Sequence, residues 1–334
     1  MNVPALYPQS RAARNRFVVD RRPPRALHDP WRHQRVLVED ERAADGSLAS
    51  VATIFLTGRE CPWRCVMCDL WQHTTTGDTP AGALVRQLDD ALNGLHTGGL
   101  FPTHVKLYNA GNFFDPRAVP ESDYDDIAAR VARFTHVVVE SHPALVGERL
   151  ERFADALTRA ATNAVAPSVE VAMGLETSHP QALEQLNKGF TLEQFAAAAE
   201  RVRSRGAALR AFVLVGVPFI ASSMQQEWTA RSASFAFDCG ASVVSLIPLR
   251  TGNGALEALG VAEPTLRDLE AALDGALADR RGRVFADLWD LERFAACASC
   301  FGDRLNRLRR INLEQRSEPS IRCAACGAVE DRIA

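Results

Sequence analysis

From residue 51 onward the chain alternates short apolar, β-branched runs with longer amphipathic stretches, and this alternation limits the folds open to it. The runs predicted as strands are 51–57, 104–110, 136–141, 168–176, 209–217 and 242–249. Helical periodicity fills the gaps at about 80–96, 122–133, 147–161, 191–205 and 223–237, with a further stretch near 265–281. Thr191-Leu192-Glu193-Gln194 opens one of these helices with a capping threonine, and Gly206 closes it. Strands alternating with helices at this spacing call for a parallel sheet with right-handed crossovers. Periodicity alone leaves both a barrel and an open doubly wound sheet. Either one collects its chemistry at the carboxyl ends of the strands.

Directly after the first predicted strand comes Cys61-Pro62-Trp63-Arg64-Cys65-Val66-Met67-Cys68, a C-x3-C-x2-C triplet. Pro62 and the local crowding disfavour a helix, so the thiols line a loop. Thiolates are soft ligands that suit iron–sulfur clusters and zinc. Three on one loop can hold three corners of a 4Fe–4S cube and leave the fourth iron open to a small chelating molecule. Zinc is the competing reading, with His73 close enough in sequence to act as a fourth ligand. The x3-then-x2 spacing is unusual for it. Disulfides fit less well, because no apolar leader precedes the triplet, which points to a reducing cytosol.

A second set, Cys297-Ala298-Ser299-Cys300 and Cys323-Ala324-Ala325-Cys326, forms two C-x2-C pairs with 22 residues between them. Four thiolates in two knuckles meet the tetrahedral demand of structural zinc, preferred here over an auxiliary 4Fe–4S cluster. Gly302 and Gly327 stand where knuckle turns want a small residue. Arg304, Arg307, Arg309, Arg310 and Arg316 read as a solvated helix face rather than a phosphate-binding strip.

Polar and small residues recur at the predicted strand ends. They are Tyr108-Asn109-Ala110-Gly111-Asn112-Phe113-Phe114, Glu140-Ser141-His142-Pro143, and Gly174-Leu175-Glu176-Thr177 followed by Asn187-Lys188-Gly189-Phe190. With the triplet, this series resembles the radical S-adenosylmethionine (SAM) enzymes, specifically their elongator/coproporphyrinogen-dehydrogenase-like branch. Within that branch it is similar to the archaeosine-synthase radical SAM subunit and its bacterial relatives, over about residues 50–255. The resemblance implies a partial (β/α)6 TIM-like barrel of the radical SAM type, with a small Cys-rich C-terminal module. It implies that Cys61, Cys65 and Cys68 bind the 4Fe–4S cluster and that SAM chelates the unique iron. Reductive cleavage of SAM would then give a 5′-deoxyadenosyl radical that abstracts hydrogen from a substrate. Gly111, Asn112, Glu140, Ser141, Glu176 and Lys188 would position SAM, and the backbone of Met67, where the superfamily commonly has an aromatic residue, would meet its adenine. Lys188 replaces the branch's usual arginine, keeping the charge without the bidentate geometry. A reductase, flavodoxin or ferredoxin is the expected electron donor.

The archaeal subunit acts on a tRNA base, which makes a tRNA or nucleoside the first expectation for substrate. A small metabolite or peptide is the second, since the net charge of −3 gives no global field for nucleic acid. A zinc-dependent nucleic-acid-binding protein without catalysis is the alternative of another class. Residues 1–35 carry eight arginines against Asp20 and Asp29, with Pro23 and Pro24 among them. They read as a basic, poorly ordered arm. The expected organisation is an arm at 1–45, a barrel at 46–285 and a metal-binding module at 286–334. No apolar stretch approaches the length needed to span a bilayer, and a cytoplasmic setting is expected.

Overall fold

The computed structural model describes residues 6–161 and 165–327. Among them, eight strands form a single sheet in sequential order, a nearly closed barrel. These are β1 Arg35–Arg42, β2 Leu48–Phe55, β3 His104–Tyr108, β4 His136–Glu140, β5 Ser168–Glu176, β6 Ala208–Val215, β7 Val243–Pro248 and β8 Arg283–Ala286. From β2 to β8 every neighbouring pair is parallel, and β1 lies antiparallel on the edge of β2. The helices are α1 Arg11–Asp20, α2 Ala83–Thr97, α3 Tyr124–Val131, α4 Glu148–Ala160 and α5 Pro180–Gln185. They continue with α6 Leu192–Ser204, α7 Gln225–Asp238, α8 Ala255–Ala258, α9 Leu266–Ala278 and α10 Ala298–Glu314.

The six predicted strands correspond to β2 through β7, and their parallel pairing follows from the alternation with helices. One face of each strand packs on the helices: Ile54, Leu107, Val139, Val171, Leu209 and Leu246 are buried in the main core. Across from them, α2 buries Leu84, Leu88, Ala91, Leu92 and Leu95, a stripe at helical spacing. Thr191 and Gln194 form a reciprocal capping box at the start of α6, as the sequence suggested.

Two strands lie outside the predicted set. β8 is only four residues long, and β1 ends in Glu39-Asp40-Glu41-Arg42, whose charges hide its alternation. Glu41 turns inward to pair with Lys106 of β3 and Arg210 of β6. Arg210 also meets Glu170 of β5 at 2.5 Å. This buried network fills the amino-terminal end of the barrel.

The segment expected to be a poorly ordered arm is, from residue 6, a packed part of the fold. Ser10 caps α1 through the amide of Ala13. Tyr7, Phe17 and Val18 are buried in a second core that also contains Val66, Leu186, Val217, Phe219 and Leu256. Arginines concealed this order: Arg14 is buried and donates to the carbonyls of Pro8 and Glu184. The strip between the C-terminal cysteine pairs likewise departs from expectation. Arg304 and Arg307 are buried against Glu270 and Asp274 of α9 rather than solvated.

The inner ion network makes stability pH-dependent. Burial alone would raise both carboxyls, but Arg210 beside them outweighs it, holding Glu41 down at about 2 and Glu170 lower. Unfolded glutamates titrate near about 4.3. The stability these two contribute is therefore complete above that value and is lost as the pH falls through their folded values. Acid unfolding curves should show this loss. Arg210→Met should remove most of it and cost about 3–5 kcal/mol at pH 7, since Glu170 loses its main partner while Glu41 keeps only Lys106. A variant as stable as the parent at pH 7 would contradict the assignment.

Candidate active site

The triplet follows β2 at the carboxyl end of the barrel, on a stretch with no helix or strand from residue 61 to 69. Such a loop must borrow its order from neighbours. The amide of Val66 donates to Leu186 O at 3.0 Å. Asn187 Nδ2 donates to Arg64 O at 2.7 Å, and Asn253 Nδ2 to Val66 O at 2.7 Å. Glu60, just before the first cysteine, receives Arg22 at 2.8 Å, Arg64 at 3.1 Å, and Arg25. Thus α1 and the segment after it clamp the loop from outside, and strand-end loops hold it from below.

All three thiols are held up by burial, Cys65 to about 12. Cys65 senses Cys61, Cys68 senses both of the others, and the ammonium of Lys188 opposes burial at Cys61 and Cys65. Thiolates here need a cation, which is the condition a metal satisfies. The three are not gathered as ligands of one ion, nor is His73 gathered with them. Among the described residues, only Cys297, Cys300, Cys323 and Cys326 form such a group. The thiols therefore suit a larger centre better than a single zinc. Three thiols on one loop are the donor set such a centre takes.

Around the loop the structure distributes the remaining predicted residues. Asn112 bridges two elements: its Nδ2 donates to Cys61 Sγ at 3.2 Å and its Oδ1 accepts from the amide of His142 at 2.6 Å. Lys188 Nζ and Glu176 Oε1 pair at 2.8 Å, near Cys65. Burial would lower Lys188, yet Glu176 and the thiols hold it above its ordinary value. This pair lies over Gly174, where a Cβ would fall 2.7 Å from Lys188 Nζ, so only glycine leaves it room. A register shift between Gly174 and Glu176 re-aims Glu176, which sits at φ +65. Ala110 and Asn187 are also left-handed, at φ +52 and +61. Strain of this kind persists where surrounding structure imposes it, and all three residues stand at the mouth.

Glu140 and Ser141 are set one tier back. Glu140 Oε1 accepts from the amide of Asn109 at 2.7 Å, bracing the loop that carries Gly111, and burial pushes its carboxyl up to about 7. The Ser141 hydroxyl donates to His142 O at 3.2 Å. Met67 packs against the second core. Asn109 Nδ2 is buried beside Gly111 without an acceptor, a donor available to a bound ligand.

Two further residues have no role in the sequence reading. The rings of Trp63, inside the triplet, and His142 stack at 3.6 Å and 13°. Burial and then Lys188 hold His142 down at about 3, so the ring is neutral. Its Nε2 donates to Lys188 O at 2.9 Å while Nδ1 accepts from the amide of Ala144. The only sequence signal for this stack was that both residues lie within the quoted motifs.

No family model matches the chain. An uncharacterized protein of Methanocaldococcus jannaschii is 23% identical over 246 residues, covering 70% of this chain and 64% of its own length. Archaeosine synthase subunit beta of Methanosarcina acetivorans is 25% identical over 197 residues, covering 56% of this chain and 54% of its own. The chain therefore spans between about half and two thirds of the curated relatives it matches. Among solved structures, methylornithine synthase superposes with a TM-score of 0.51 at 15% identity, over 78% of this chain and 69% of that one. At that identity the likeness is one of fold. A TIM-like barrel is thus this chain's fold.

Asn112→Ala should destabilise the protein by about 1–3 kcal/mol, because the amide of His142 is left buried without an acceptor. Chemical denaturation checks this, and an unchanged midpoint would show that Asn112 does not bridge the two loops.

Proposed function

We propose that this chain is a radical SAM enzyme whose Cys61, Cys65 and Cys68 hold a 4Fe–4S cluster open to SAM. The observation that carries this reading is three thiols on one loop, Cys65 buried and Cys61 and Cys68 half-buried, that form no compact single-ion site with any fourth donor among the described residues. Cys61, Cys65 and Cys68 would hold the cluster, which would pass one electron to SAM so that a carbon–sulfur bond breaks into methionine and a 5′-deoxyadenosyl radical able to take hydrogen from substrate. The chain's own residues bind and shield. Lys188 offers the cation for a carboxylate, and Glu176 offers acceptors to amino or hydroxyl groups. Both now satisfy each other at 2.8 Å, so ligand binding exchanges one charge-assisted contact for another. Glu140 holds the Gly111 loop in place, and the second core keeps water from the outer side of the cysteine loop. A flavodoxin, ferredoxin or reductase serves as electron donor.

For substrate, similarity to an archaeosine synthase subunit supports a nucleoside or tRNA base. The N-terminal segment favours the second reading, a small metabolite or peptide. Arg14, Arg22 and Arg25 are engaged in internal contacts instead of lying free for RNA.

Anaerobic reconstitution with iron and sulfide should give a brown protein that, with a reductant, turns SAM into 5′-deoxyadenosine. Cys65→Ala should lose this activity by at least about 100-fold. A colourless protein with zinc at both cysteine sets would overturn the proposal. Co-purifying tRNA, released by charge reversal at the exposed Arg16 and Arg32, would select the nucleic-acid reading over the small-molecule one.

A further inference from the structure

We propose that the four C-terminal cysteines hold a single zinc ion, and that this ion pins a helix which completes the open edge of the barrel. The inference is independent of the reading of the 61–68 loop.

Sulfur spacing carries the first half. Cys297 Sγ and Cys323 Sγ lie 4.0 Å apart, and Cys300 Sγ and Cys326 Sγ 3.9 Å apart. All four sulfurs fall within 4.8 Å of one another. Zinc–sulfur bonds of about 2.3 Å in a tetrahedron place the sulfurs about 3.8 Å apart. In a 4Fe–4S cluster each thiolate binds its own iron, which spreads the sulfurs wider than a shared ion does. Of the metals that accept a closed tetrahedron of thiolates, zinc outcompetes ferrous iron for one site.

Two arginines complete the site. Arg304 Nε donates to Cys300 Sγ at 3.3 Å, and Arg267 of α9 donates to Cys326 Sγ at 3.2 Å. Four thiolates around a divalent ion carry two surplus negative charges, and these two guanidiniums offset them. Arg304 is itself fixed by Glu270 of α9. Gly327, at φ +60, supplies the left-handed turn that ends the second knuckle. Gly302 lies inside α10 with open space around its Cα, so the expected knuckle role does not apply to it.

The second half follows from where the ion sits. Cys297 is the N-cap of α10 and Cys300 lies in its first turn. At its other end, α10 completes the exposed edge of β8. Asn312 accepts from Ala286 N and donates to Ala286 O, both at 2.9 Å. Gln315 does the same at Val284, at 2.8 and 3.0 Å. Arg42 of β1 reaches Leu313 O at 2.6 Å. Side-chain amides thus stand in for the missing strand partner, and the helix spans the gap between the sheet's two edges. With one end pinned by metal, α10 keeps that edge covered.

Metal analysis of the purified and the iron-reconstituted full-length protein tests the ion. One zinc per chain should survive reconstitution, and Cys323→Ser should lose it with iron content unchanged. Loss of iron from that variant, or a single iron in place of zinc, would overturn the assignment. Cobalt substitution should add the visible bands of a tetrahedral thiolate site, and their absence would count against it equally. Hydrogen exchange tests the clasp. Amides of Val284 and Ala286 should exchange about tenfold faster or more in Cys323→Ser. The double variant Asn312→Ala/Gln315→Ala should show the same acceleration with zinc still bound, which separates the clasp from general misfolding. Unchanged exchange in the double variant would refute it.

Discussion

Holding three thiols, one buried and two half-buried, on a loop without secondary structure imposes the main constraint on this molecule. Taking a thiolate out of water is unfavourable unless a cation accompanies it, and burial accordingly holds the Cys65 thiol up at about 12. The loop lacks a ladder of its own to absorb that cost. Its order comes from Asn187 and Asn253 below, from Leu186 beside it, and from the arginines that converge on Glu60 above. The second core, built from α1, the loop and the strand ends, exists at the mouth because this loop needs covering.

The two ends of the barrel differ in how their polar groups are satisfied. At the amino-terminal end, charges are matched by their nearest neighbours, Glu41 with Lys106 and Arg210, and Glu170 with Arg210. At the mouth, Ala110, Glu176 and Asn187 adopt left-handed backbone, and Asn109 keeps a donor unused. The Trp63–His142 stack and the Asn112 bridge fix the geometry between these strained points. Rigid support below and unsatisfied groups above are what a binding surface requires.

Much of this was readable from local pattern. The strand at 168–176 coincides with β5, and the residues quoted at the strand ends stand at the mouth. What the sequence hid depended on partners far along the chain. β1 was obscured because Glu41 faces inward toward Arg210, 169 residues away. Arg14 looked like part of a solvated arm because its acceptor, Glu184 O, lies 170 residues on. Arg304 looked exposed because Glu270 belongs to another helix. Charged residues follow their partners rather than their periodicity, so composition misjudged each of them in the same direction.

The two cysteine sets differ in the way each would enclose a metal. Four sulfurs within 4.8 Å of one another close a site, whereas the triplet on its loop leaves room for a ligand from outside the chain. Electron paramagnetic resonance of the reduced, iron-reconstituted protein tests this contrast most directly. The account predicts a cluster signal that changes on addition of SAM, is absent from Cys65→Ala and persists in Cys323→Ser. A signal that ignores SAM, or that depends on Cys323 instead of Cys65, would contradict it.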